Sequence, residues 1–130
     1  QPNQNFIVYA WKERQGFSKF GKYVGNGEVN GTFVYTGFKP AFVLIRRIDS
    51  ANNWLIYDHK RSGYNPKQDK LYPDDPSAED ASTTSVDLLS NGFKLRASSA
   101  SQNASGGTYI YMAFAENPFT TSTGIPTTAR

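Results

Sequence analysis

The chain carries one histidine, His59, beside Asp58, and no cysteine. A thiolate nucleophile and a soft metal set are therefore outside its chemistry. A Ser-His-Asp arrangement would have to draw on His59, Asp58 and one of many serines, without the Gly-x-Ser-x-Gly turn that presents a nucleophile. A surface histidine at a strand end accounts for His59 better. Four acids, Asp74, Asp75, Glu79 and Asp80, crowd one stretch. Hard carboxylate oxygens suit Ca²⁺, but the residue order of an EF-hand loop is missing, and a solvated acidic loop is the simpler reading. Asp58 and Glu116 are the acids that fall on predicted strands beside aromatics, the setting glycoside hydrolysis would need. Gly25-Asn26-Gly27 is not followed by a helix and reads as a turn, not a phosphate loop. No catalytic residue, metal or cofactor is expected.

Sugar binding is the remaining chemistry these residue types could perform. A ring face stacks on a pyranose while Asn, Asp or Arg reads its hydroxyls. Trp54, Arg61, Tyr64, Asn65 and Tyr72 are the candidates, with Tyr57 beside them in sequence. Trp54 and Tyr57 fall on opposite faces of one strand, so at least one belongs to the core. For each of these aromatics alone, packing is the commoner use.

The elements that would position such residues are all strands. A chain of 130 residues suits one domain able to bury a core without a disulfide or metal. The net charge of +3 is mild and its basic residues are scattered, unlike a nucleic-acid footprint. No apolar run approaches the length of a membrane-spanning helix. The opening Gln1 carries no signal-peptide pattern and suggests a processed piece or fragment.

The stretch Thr108 to Glu116 is β-branched and aromatic, opens after Gly106-Gly107 and closes at Asn117-Pro118, the marks of a strand. Both of its faces are apolar and need cover, which predicts a place mid-sheet or beneath a neighbouring layer. Asn5 to Glu13 repeats its pattern of aromatic, Ile, Ala, aromatic and Glu, and predicts a strand at Phe6 to Lys12. Phe17 to Gly25 predicts a connector and a short strand at Lys22 to Val24, followed by Gly-Asn turns and a strand at Phe33 to Thr36. Ala41 to Ile48 and Trp54 to His59 form a hairpin around an Asp-Ser-Asn loop. Ser85 to Leu89 and Phe93 to Ala97 form a second, through Asn91-Gly92, with Phe93, Leu95 and Ala97 inward on an outer strand. Lys60 to Ser82 loses periodicity and is expected to be a variable, functional loop, and Ser98 to Gly107 a small-residue loop. The whole predicts an all-β chain, an antiparallel β-sandwich of jelly-roll or lectin-like type with about seven or eight strands.

The ordered segments Tyr23 to Gly27, Gly37 to Arg47, Asn53 to Asp58, Leu89 to Arg96 and Asn103 to Pro118 resemble a repeat domain of unknown function found near the C-terminus of large, often marine, bacteriophage tail and fibre proteins. The resemblance covers about residues 21–130 and brings no catalytic motif with it. It implies a structural virion protein on the outside of the phage particle, in tail, fibre or surface decoration, with a lectin-like module for host-surface glycans as the alternative. It divides the chain into residues 1–20, resembling the end of a preceding repeat and a connector, a sandwich at 21–119, and a flexible or partner-bound tail at 120–130. On this reading Phe6, Val8, Tyr9 and Trp11 either complete the sandwich or pair with another copy. The partners expected are like chains, other virion proteins or a host glycan, with no nucleic acid and no membrane insertion.

Overall fold

The computed structural model describes residues 5–81, 85–118 and 120–123. Seven strands lie among the described residues: β1 (Ser18–Val24), β2 (Phe33–Tyr35), β3 (Pro40–Arg47), β4 (Leu55–Asp58), β5 (Val86–Leu89), β6 (Gly92–Leu95) and β7 (Thr108–Ala115). They form a four-stranded sheet in the order β1-β7-β3-β4 and a three-stranded sheet in the order β2-β6-β5. Every strand pair is antiparallel. The chain is thus an all-β antiparallel sandwich.

Period-two alternation decides which side chains meet between the sheets. Tyr109, Tyr111 and Ala113 of β7, Val43 and Ile45 of β3, and Leu55 and Tyr57 of β4 line one inner face; Val34, Val86, Leu88, Phe93 and Leu95 line the other. Tyr23 stacks on Tyr109 with centroids 5.0 Å apart and meets Phe93 edge-on across the core. β7 sits mid-sheet between β1 and β3, one of the places its two apolar faces predict. Among the described residues no second layer covers its outer residues Ile110, Met112 and Phe114; Phe114 is flanked by Phe17, Phe20 and Phe42 at 5.8 to 6.1 Å.

Several elements differ from the expectation. Phe6 to Lys12 forms no strand and lies along the surface. β1 begins at Ser18, not at Lys22, because β7 is long enough to pair with it as far as Ser18↔Phe114. β6 is the middle strand of its sheet, and its one-sided alternation reflects the solvent on that sheet's outer face. The stretch from Lys60 is no free loop: Leu71 pairs with Ile56 on β4, Lys67 pairs with Val86 on β5, and Lys70 pairs with Asp80. It therefore walls the side of the sandwich where β4 and β5 end the two sheets. Lys67 and Lys70 are buried in that wall. Of the expected tail, Thr120 to Thr123 are exposed, and 124–130 lie outside the described residues, as do Ser82 and Phe119.

Ser98 to Gly107 also does more than connect strands. Gln102 and Asn103 are fully buried. The two N–H groups of the Asn103 amide are shared among Asn26 Oδ1, Glu28 O and Ala97 O at 2.9 to 3.1 Å, while its oxygen accepts from the Asn26 N–H. One side chain thus ties the turn after β1 to the stretch after β6, with its donors and acceptor engaged.

Candidate functional site

The structure does not gather the five expected ligand-binding residues. Trp54, just before β4, lies on the outer face of the larger sheet with the Arg46 guanidinium 5.5 Å from its ring centroid, while Tyr57, on the other face of β4, is core. Arg61 is bound to Asp58, to Glu79 at 2.9 Å and to the Ile56 carbonyl. Asn65 donates to Leu88 O and accepts from Leu88 N–H at 2.9 and 3.0 Å, so its amide serves as an extra rung on β5. Tyr72 packs on the core and donates to Asp80 at 2.6 Å. Burial first and this bond second push its hydroxyl up to about 12. Tyr64 alone stands free, 91 % exposed.

The acidic stretch is likewise consumed within the chain. Asp74 accepts from the Trp54 N–H, Asp75 from Ser77 and Asn53, Glu79 pairs with Arg61, and Asp80 pairs with Lys70 at 2.9 Å. Among the described residues no group of His, Asp and Glu is arranged to hold a metal ion. Burial pushes the Asp58 carboxyl up, but the Arg61 and Lys60 N–H groups and the Arg61 guanidinium outweigh it and hold it below the carboxylate range. Glu116 is held low by the Lys39 ammonium at 2.8 Å. Each expected carboxylate of a hydrolytic pair therefore has its own cation. His59 lies at the end of β4 with Nδ1 3.3 Å from the Ala41 carbonyl.

Tyr64 and Asn65 do share one small hollow of about 240 Å³ with His59, Lys39 and Glu116, and the Glu116 carboxylate and Lys39 ammonium there are already paired. Two larger hollows bear on the open side and outer face of the sandwich. An apolar groove of about 580 Å³ runs over the outer face of the larger sheet, lined by Phe20, Leu44, Trp54, Ile110 and Met112. A second hollow, of about 470 Å³, opens beside β1 and β2 and is lined by Glu13, Arg14, Lys19, Tyr35 and Phe38. Among the described residues nothing walls this side as the stretch after Lys60 walls the other.

The expected self-association residues reach this open side. Arg14 and Ser18 exchange both backbone hydrogen bonds, at 3.3 and 2.9 Å, around a turn with Gly16 at φ 71°. That is the first rung of a hairpin in which positive φ at the turn calls for glycine. The next rung never forms. The Ser18 hydroxyl donates to the Lys12 carbonyl at 2.9 Å, and the Glu13 carboxylate takes the Lys19 ammonium at 2.7 Å and the Phe20 N–H at 3.4 Å. Residues 5–12 form no ladder with β1 and are exposed. Phe6, Ile7, Val8 and Tyr9 are 72 to 83 % exposed and Trp11 is 56 % exposed, with Tyr9 stacked on Trp11 at 6.0 Å. Ser18 and Glu13, which set this geometry, carry no signal in the sequence, since a cap is recognised only once its partner strand is placed.

No curated protein and no solved structure matches the chain. The family model described as a domain of unknown function (DUF7483) matches residues 1–118, and the chain belongs to that family.

Proposed function

We propose that this chain is a structural domain of a bacteriophage virion, part of a tail, fibre or surface decoration, that associates with like chains and has no enzymatic role. The virion setting rests on the resemblance of the segments quoted above. The assembly role rests on one observation: four consecutive large apolar side chains and Trp11 stand exposed on a segment that forms no strand. Contiguous exposed apolar surface of this kind marks an interaction site. The glycan-binding alternative asks for Trp54, Arg61, Tyr64, Asn65 and Tyr72 to face a ligand together, and the bonding of Arg61, Asn65 and Tyr72 inside the chain weighs against it.

Light scattering across a concentration series tests the reading. The wild-type chain is expected to associate as concentration rises, and a Phe6→Ser, Val8→Ser, Tyr9→Ser, Trp11→Ser variant to remain monomeric. A wild-type chain that stays monomeric at high concentration overturns it.

A further inference from the structure

We propose that the open side of the sandwich is the acceptor for this segment: residues 6–12 of a second copy add as an antiparallel strand to the free edge of β1. The inference rests on the self-association reading and names its partner surface.

The backbone of β1 shows which edge is free. Gly25 N–H and Phe17 C=O, at its two ends, bond to Gly107 and Ala115 on the β7 side. Alternation then turns the even-numbered residues of β1 to the opposite edge. Ser18 confirms this by pairing with Arg14, Phe20 by giving its N–H to Glu13, and Val24 by accepting the Thr32 hydroxyl at 2.8 Å. Lys22 lies between them, and its N–H and C=O have no partner among the described residues. The sheet edges on the other side differ. β4 is met by Leu71, and β5 by Lys67 and the Asn65 amide. An edge carrying unpaired N–H and C=O groups is a template for strand addition.

Three observations favour the segment of another copy as the occupant. Its sequence matches β7, the strand that already pairs antiparallel with β1 on the other edge. In its own copy, the caps by Ser18 and Glu13 hold it off the edge at the point where Lys12 and Phe20 would form the next rung. The area is also sufficient: three aromatics at roughly 150–250 Å² each give on the order of 500 Å² per segment. Reciprocal exchange, counted over both segments and both acceptors, then reaches the roughly 1,200–2,000 Å² of a stable interface. Once added, alternate residues of the strand extend the apolar outer face beside Phe20, and the others close the hollow lined by Lys19, Tyr35 and Phe38.

A labelled peptide of residues 1–13 titrated into the full-length chain carrying Val8→Ser, Tyr9→Ser and Trp11→Ser tests the acceptor. The peptide is expected to bind saturably, and Lys22→Pro in that chain to weaken it by about tenfold or more, because proline deletes the outward N–H without touching a bond to β7. Lys22→Ala should leave binding unchanged. Amide exchange of the wild-type chain gives a readout free of any effect of proline on folding: association should slow exchange at Lys22 by about tenfold or more and leave the β4 edge unaltered. Association of the wild-type chain without peptide binding, or without protection at Lys22, overturns the acceptor and keeps the assembly reading. A monomer whose Lys22 amide is protected by its own segment overturns both.

Discussion

The Tyr57 hydroxyl donates to Gln102 Oε1 at 2.7 Å, with both side chains fully buried. Gln102 also donates from Nε2 to Ser85 O at 2.9 Å, and its backbone carbonyl accepts from Tyr23 at 2.7 Å. One residue outside any strand thus joins β4, β1 and the start of β5 through the middle of the core. Buried polar groups cost most when one partner is removed.

Gln102→Leu takes away the acceptor for Tyr57 and the donor for Ser85 together. The expected loss is about 2–4 kcal/mol, read from urea denaturation. Tyr57→Phe combined with it should cost less than the sum of the two single variants, since the bond between the two side chains can be lost only once. Additive effects would show that the two side chains are not coupled.

The wall after Lys60 hangs on Asp80, which accepts from both Lys70 and Tyr72. Lys70 is 2 % exposed, so its ammonium cannot turn to water when the carboxylate goes. Asp80→Ala is expected to cost about 2 kcal/mol, discounted because the carboxylate itself is partly exposed. Limited proteolysis should then cut between Arg61 and Asp80 faster than in the wild type, while β7 stays protected.

Gly92 and Gly25 are fixed by backbone approach. A Cβ on Gly92 would lie 2.1 Å from Val34 O, and one on Gly25 would lie 2.3 Å from Ala104 O. Neither obstacle is a side chain that can swing aside. Gly92→Ala should part β2 from β6 and Gly25→Ala should part β1 from the stretch holding Asn103, each lowering the thermal midpoint by several degrees, roughly 2 kcal/mol or more. Gly63→Ala, where nothing lies within 4 Å, is the control and should change nothing.

Stability should fall at both ends of the pH scale. Asp58 and Glu116 are held below their ordinary range by Arg61 and Lys39, Asp58 against the upward push of burial. A carboxyl lowered in the folded state stabilises it above the unfolded value, near about 4, and loses that contribution as pH falls through the folded value. The thermal midpoint is expected to drop as pH goes from about 5 towards 2. At the other end, burial raises the hydroxyls of Tyr23, Tyr57, Tyr72, Tyr109 and Tyr111. An acid raised in the fold stabilises it below the unfolded value, near about 10, and the contribution disappears as pH rises through the raised values. Tyrosinate absorbance should therefore show a late group of tyrosines that ionise only as the chain unfolds.

The strands were legible because their cause is local. Alternation and turn residues mark the hairpins Pro40–Arg47 with Leu55–Asp58 and Val86–Leu89 with Gly92–Leu95 in the sequence, and two apolar faces predict a mid-sheet or covered place for Thr108–Ala115. The opposition of Trp54 and Tyr57 follows from the same period. By itself the sequence determined an all-β sandwich and the apolar character of Phe6 to Trp11.

What it could not determine depends on partners distant along the chain. Phe6 to Lys12 has the composition of a strand, yet a strand forms only where an edge is offered, and Ser18 and Glu13 hold this one off the edge beside it. Lys67 and Lys70 read as loop lysines until Val86 and Asp80 are seen beside them, and Asn103 reads as loop until Asn26, Glu28 and Ala97 converge on it. Local pattern fixes which residues extend and which faces are apolar. Only the tertiary fold decides which edges are closed, because closing an edge takes backbone groups that the chain brings from elsewhere.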